Sequence, residues 1–249
     1  MTPENAPAVE PAPEGMSGFG RIAGVFFEPG KTFEDIGKRP SWFLPVLLII
    51  IFSLAFTTAY SQHIGWERLM RQQLENSSRT AQLSAEQREQ AIQRGARFAP
   101  VMGYIGVVFL PTVGYAIMAA ALLGMTAMMG AGLRFKQVFA VVCHSGLPGI
   151  VFGLLGIAVM FLKKPEDFNI QNPLMFNVGA FMDPQGGSKF VYSLATSIDL
   201  FSFWMIFLMA TGLKAAAGKK LSFGGALTAV VVPWAIYVLC KSALAGAFS

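Results

Sequence analysis

Five long apolar runs, separated by polar connections, dominate the pattern of this chain. They fall at about 42–61, 101–129, 138–162, 190–213 and 223–245, and about 20 apolar residues are what a helix needs to cross a hydrocarbon core. The pattern predicts an all-α fold, a polytopic membrane helix bundle with five transmembrane helices. Pro45 stands in the first turn of the first run, whereas Pro111, Pro148 and Pro233 interrupt the second, third and fifth. A proline inside a span frees a backbone carbonyl that neighbouring helices must satisfy, so each predicts a kink packed against protein. No internal repeat is visible.

The polar segments predict the rest of the organisation. Residues 1–17 hold Pro3, Pro7, Pro11 and Pro13 with Glu4, Glu10 and Glu14 and no basic residue. They read as a disordered tail ahead of a membrane domain over 18–249, without the basic start and apolar stretch of a secretory signal. Between 18 and 40, Phe19, Ile22, Val25 and Phe26 recur at helical spacing as far as the Pro29-Gly30 break. Thr32 and Asp35 then read as a capping box opening a second short helix. Both helices are too short and polar to cross, which predicts a pair of N-terminal interfacial helices. Residues 63–98 predict a polar helical hairpin after the first span, with Glu67 and Glu75 four residues ahead of Arg71 and Arg79, and Ser84 and Gln87 forming a capping box. The connection from Lys163 to Lys189, with Pro165, Pro173 and Pro184 among Leu174, Met175, Phe176 and Phe181, reads as a segment that dips into the interface.

Composition agrees with a membrane protein. Of 249 residues 54% are hydrophobic and 13% charged, against roughly 25% charged in soluble domains. The mean hydropathy is +0.53 and the pI about 9.3. The net charge of +5 comes from Lys and Arg flanking apolar runs, where orientation and anionic lipid explain them better than nucleic acid does. With the N-terminus inside, nine Lys/Arg fall on the inner side and ten on the outer. The two tight loops break the tie: Arg134, Lys136, Lys214, Lys219 and Lys220 lie there without an acid, which predicts a cytoplasmic N-terminus. Cys143 and Cys240 lie in separate apolar runs and suggest buried thiols rather than a disulfide framework.

Few residues offer chemistry. Asp199 falls about halfway along the fourth run, where a carboxylate is costly and faces the bundle, either as a pathway residue or as a buried hydrogen-bonding group. Its expected partner is Lys241 of the fifth run, offset by about 7 Å along a helix. His144 follows Cys143 near the start of the third run; alone, it suits a bond between helices, and no HExxH, CxxC or Glu-x-x-His spacing makes it a metal ligand. Gly146, Gly149, Gly153 and Gly156 line one face of the third run, which predicts close helix packing, a homodimer face or a backbone-lined path. There is no GxSxG, P-loop, dinucleotide fingerprint or paired-carboxylate arrangement, so no catalytic, cofactor or metal residue is assigned.

Three blocks, in order along the chain, carry a resemblance. The first is Phe27-Glu28-Pro29-Gly30-Lys31-Thr32-Phe33-Glu34-Asp35-Ile36, ending in Pro40-Ser41-Trp42. The second is Phe135-Lys136-Gln137-Val138-Phe139-Ala140 leading to Leu147-Pro148. The third is Ile198-Asp199-Leu200-Phe201-Ser202-Phe203-Trp204 with Leu208 and Gly212, followed by Pro233-Trp234. The chain resembles the bacterial branch of the Yip family, integral membrane proteins whose eukaryotic members interact with Ypt/Rab GTPases. That resemblance implies a five-span helical domain with a cytoplasmic N-terminus, and it marks Pro29, Thr32, Phe33, Pro148, Trp204 and Gly212 as motif positions. It also implies that Asp199 belongs to the shared fold. The eukaryotic members' tyrosine-glycine-proline motif has no equivalent in this chain, so the resemblance does not extend to a GTPase partner.

The function expected from these features is that of a non-enzymatic inner-membrane protein that binds membrane partners, itself included, or organises lipid. The competing class is a small transporter, channel or lipid scramblase whose path is lined by Asp199, His144 and the glycine face. Such a protein would usually carry more intramembrane polar groups, and often a duplication.

Overall fold

The computed structural model describes residues 15–75, 83–170, 172–183 and 187–247. The expected tail up to residue 14, together with Arg79 and Pro184, lies outside them. Among the described residues the chain is all helical, without a strand. It runs α1 (Gly18–Phe27), α2 (Pro29–Lys38), α3 (Phe43–His63), α4 (Trp66–Glu75), α5 (Ala85–Met128), α6 (Phe135–Ser145), α7 (Pro148–Leu162), α8 (Lys189–Ser197), α9 (Leu200–Ala217) and α10 (Phe223–Ala247). Five helical stretches are long and apolar enough to cross a membrane: Phe43–His63, Ala85–Met128, Phe135–Leu162, Leu200–Lys220 and Phe223–Ala247. Their outward side chains, among them Phe109, Leu110, Ile117 and Leu162, are large, apolar and exposed, as contact with lipid requires.

Helix α6 sits at the centre. Every residue from Val138 to Ser145 is buried, which suits a segment apolar on nearly all sides. Val25, Phe33 and Ile36 of the first two helices, Leu208 and Leu213 of α9, and Ala226 and Val230 of α10 join the same core.

The two N-terminal helices form where expected, but their packing differs from a strip laid on the surface. Gly37 abuts the backbone of Ala216, Phe33 packs at Gly212, and the rings of Phe26 and Trp204 meet edge-on at 5.7 Å between centroids. The pair therefore follows α9 over the twelve residue steps from Ala216 back to Trp204, about 18 Å of helix. The start of α2 also differs from the expected capping box. Pro29 occupies the first helical position, where no N–H is needed. Thr32 is then buried in the helix, its hydroxyl donating to Glu28 O at 2.9 Å, and Asp35 is taken by Arg21 at 2.7 Å.

After the first span the polar hairpin is present, and Ser84 with Gln87 makes the expected reciprocal cap. Its second arm and the second span are one helix of 44 residues, with Pro100 and Pro111 inside it. Arg71 reaches across the hairpin to Glu89 at 3.4 Å instead of pairing with Glu67. The hairpin also holds the connection that follows α7: Arg68 donates to Glu166 O at 2.6 Å and Gln72 to Phe168 O at 2.8 Å, above a small core of Tyr60, Met160 and Phe168.

Candidate functional site

The fourth run is not one helix. Thr196 and Ser197 bond back to Ser193 O at 3.1 and 2.8 Å, a habit of hydroxyl side chains that loosens a helix. Two residues on, Asp199 is extended at φ −130° and caps α9: Oδ1 accepts Phe201 N–H at 2.9 Å and Ser202 N–H at 3.0 Å, and Oδ2 accepts the Ser202 hydroxyl. The backbone groups left over by the break are satisfied by the preceding connection. Val178 N–H donates to Ile198 O at 3.2 Å and Leu200 N–H to Phe176 O at 3.1 Å, so Asn177 and Asp199 form an antiparallel bridge. Irregular backbone beside lipid survives only when it is stitched in this way or lines a cavity.

Asp199 therefore does not lie halfway along a span that starts near Phe190. It stands at the entrance of the span Leu200–Lys220. Aspartate favours a cap over a helix interior because its short side chain serves the exposed N–H groups, and that preference decides the boundary. Nor does Asp199 form a direct ion pair with Lys241. The Lys241 ammonium donates to Ser197 Oγ at 3.0 Å, in a small polar seam where Ser242 also bonds Ser193 at 3.3 Å. Small hydroxyl residues are a usual cement between membrane helices.

Both charges nonetheless line one cavity of about 280 Å³, with Asn172, Asn177, Thr196 and Ser202. Asn177 donates to Asn172 Oδ1 at 2.7 Å, while its own buried Oδ1 has no donor among the described residues. A second, apolar groove of about 230 Å³ lies between α3, α5 and α7. Gly149 and Phe152 border both spaces.

The four glycines divide by role. Gly146 ends α6 against the Tyr115 hydroxyl, and Gly156 leaves 3.0 Å from a notional Cβ to the Phe56 ring, so these two serve packing inside the chain. Gly149 and Gly153 meet nothing within 4 Å and line the apolar groove. His144 is buried, and its Nδ1 lies 2.8 Å from Ala140 O one turn back; it is not among the residues lining either space. No group of three or more His, Cys, Asp or Glu converges among the described residues, and Cys143 and Cys240 are free thiols, the first buried and the second exposed.

The third resemblance block supplies Asp199, Phe201 and Ser202 to this cavity, and other motif residues meet away from it. Phe33 fills the recess at Gly212, Phe26 meets Trp204, Gln137 donates to Gly37 O at 2.9 Å, and Pro148 opens α7 after the break in the third span. Sequence reasoning missed Asn172, Asn177, Ser197 and Ser202. The run Thr196-Ser197-Ile198-Asp199 was the available signal, since three of its four residues favour helix ends over interiors.

Removing the cap tests the break. Asp199→Ala is expected to lower the unfolding free energy in detergent by about 0.5–2 kcal/mol, while Asp199→Asn, an equivalent cap, stays close to the parent. Equal losses from both would mean that charge, and not capping, holds the break.

No curated protein and no solved structure matches this chain. The family model described as the Yip1 domain matches residues 23–244, nearly the whole chain. With five apolar spans and motif residues that pack together, this multi-pass membrane protein belongs to the Yip1 domain family.

Proposed function

We propose that this protein is a non-enzymatic component of the inner (cytoplasmic) membrane, with its N-terminus in the cytoplasm, that organises lipid or binds membrane partners. The observation that carries the reading is the pair of adjoining spaces, one polar at a span entrance and one apolar between spans, bordered alike by Gly149 and Phe152. Polar and apolar volumes in that relation suit an amphiphile better than a soluble substrate. The non-enzymatic part rests on family membership and on the roles of the two candidate residues: His144 lines neither space, and Asp199 accepts three capping bonds. The orientation rests on the five basic residues of the two tight loops. A GTPase partner has no support in the residues.

The break between α8 and α9, with a carboxylate at the entrance of the span Leu200–Lys220, favours one other reading, a transporter, channel or scramblase, because broken helices commonly carry the binding site in such proteins. One reconstitution separates the two. Purified protein in liposomes is expected to be silent for ion flux and lipid scrambling, and to crosslink to photoactivatable lipid through α3, α7 or α10. Flux or scrambling that Asp199→Asn abolishes would make transport the function.

A further inference from the structure

We propose that the two adjoining spaces hold a single phospholipid of the surrounding bilayer, one whose zwitterionic headgroup carries a primary amine. This rests on the lipid-organising reading above and specifies its ligand. Depth is the first argument. Lys241 lies eighteen residues beyond Phe223 on α10, about 27 Å along the helix, close to the full thickness of a hydrocarbon core of roughly 30 Å. The cavity that Lys241 shares with Asp199 is thus at headgroup level when the start of α10 is at the opposite face. The groove on the other side of Gly149 and Phe152 is lined by Ile49, Phe52 and Phe56 from the middle of the first span, where acyl chains lie. Open space above Gly149 and Gly153 is what lets a chain lie against the backbone.

Charge is the second argument. Asp199 and Lys241 face one cavity without pairing, and a zwitterion completes both. Lys241 gives one of its three protons to Ser197, which leaves two for phosphate oxygens. A carboxylate offers about four acceptor positions; Asp199 uses three, on Phe201 N–H, Ser202 N–H and the Ser202 hydroxyl. The fourth accepts an N–H proton from an ammonium group. A quaternary ammonium has no N–H to give it, and an anionic headgroup brings nothing to offset Asp199.

The test uses the full chain in detergent micelles, read by native mass spectrometry, with dioleoyl phosphatidylethanolamine, phosphatidylcholine and phosphatidylglycerol offered at equal concentration and soluble phosphoethanolamine as competitor. The expected result is about tenfold preference for phosphatidylethanolamine, the scale of one charge-assisted hydrogen bond. Asp199→Asn erases the preference, Lys241→Met weakens retention of all three lipids through their shared phosphate, and Gly149→Leu removes retention of all three. These variants keep the fold: asparagine caps as aspartate does, and position 149 has room for a side chain. Equal retention of the three lipids, unmoved by the charge variants but lost in Gly149→Leu, overturns the headgroup assignment and leaves the lipid-organising reading intact. Displacement by soluble phosphoethanolamine at matching concentration overturns the lipid as occupant. No retention of any lipid overturns this inference and the lipid reading together.

Discussion

Arg21→Met is expected to lower the unfolding free energy by about 3–5 kcal/mol, the usual loss when one partner of a buried ion pair is removed. The side chains of Arg21 and Asp35 are only 7% and 17% exposed, and the guanidinium makes three bonds: to Asp35 Oδ2 at 2.7 Å, to Arg39 O at 2.9 Å and to Ser41 Oγ at 2.7 Å. One planar group thereby ties α1 to α2 and both to the entry of the first span. Methionine keeps the apolar stem and removes every donor, leaving a desolvated carboxylate and an unsatisfied carbonyl. Chemical unfolding in micelles, followed by tryptophan fluorescence, measures the loss. The double variant Arg21→Met with Asp35→Leu recovers much of it, because the penalty lies in the orphaned charge more than in the absent attraction. A loss below about 1 kcal/mol for the single variant would put the pair among solvated surface bridges.

That pair also shows where sequence reading ends. The helices on either side were legible: Phe19, Ile22, Val25 and Phe26 keep helical spacing, and Pro29 marks a boundary. What no local pattern carries is that Arg21 and Asp35, fourteen residues apart, close on each other once Glu28 turns the chain, or that the hairpin so formed lies along a helix nearly two hundred residues later. The spans were legible for the same reason, since length and apolarity alone decide whether a helix crosses. Boundaries failed where polar and apolar segments share one helix, as in α5, or where a capping residue sits within an apolar run, as at Asp199. The candidate site was legible in its charges and not in its construction. Asp199 and Lys241 do face one cavity, but the intervening Ser197 and the strand-like bridge from Asn177 depend on a connection whose path the sequence leaves open.

Gly212→Leu carries the second large effect, an expected loss of about 3 kcal/mol, the upper end of what overpacking a core costs. A Cβ at position 212 would lie 2.5 Å from Val141 Cγ1 and 2.9 Å from Phe33 Cδ1, so three helices, α9, α6 and α2, meet where only hydrogen fits. From Val138 to Ser145, helix α6 is buried on every side and has nowhere to move. The docked hairpin must yield instead, which faster tryptic cleavage at Lys38 would report. Gly153→Leu is the control for helix propensity: the same change inside α7, at a position with nothing within 4 Å, is expected to leave stability equal or slightly raised, since glycine costs about 1 kcal/mol in a helix interior. If both substitutions destabilise alike, glycine's role at 212 is not the close approach of Phe33. If Phe33→Ala partly rescues Gly212→Leu, beyond the sum of the single effects, the two positions are coupled through the contact itself. The hairpin is then held to the bundle by a ring seated against a bare backbone, which gives Phe33 and Gly212, far apart in the chain, one shared physical role.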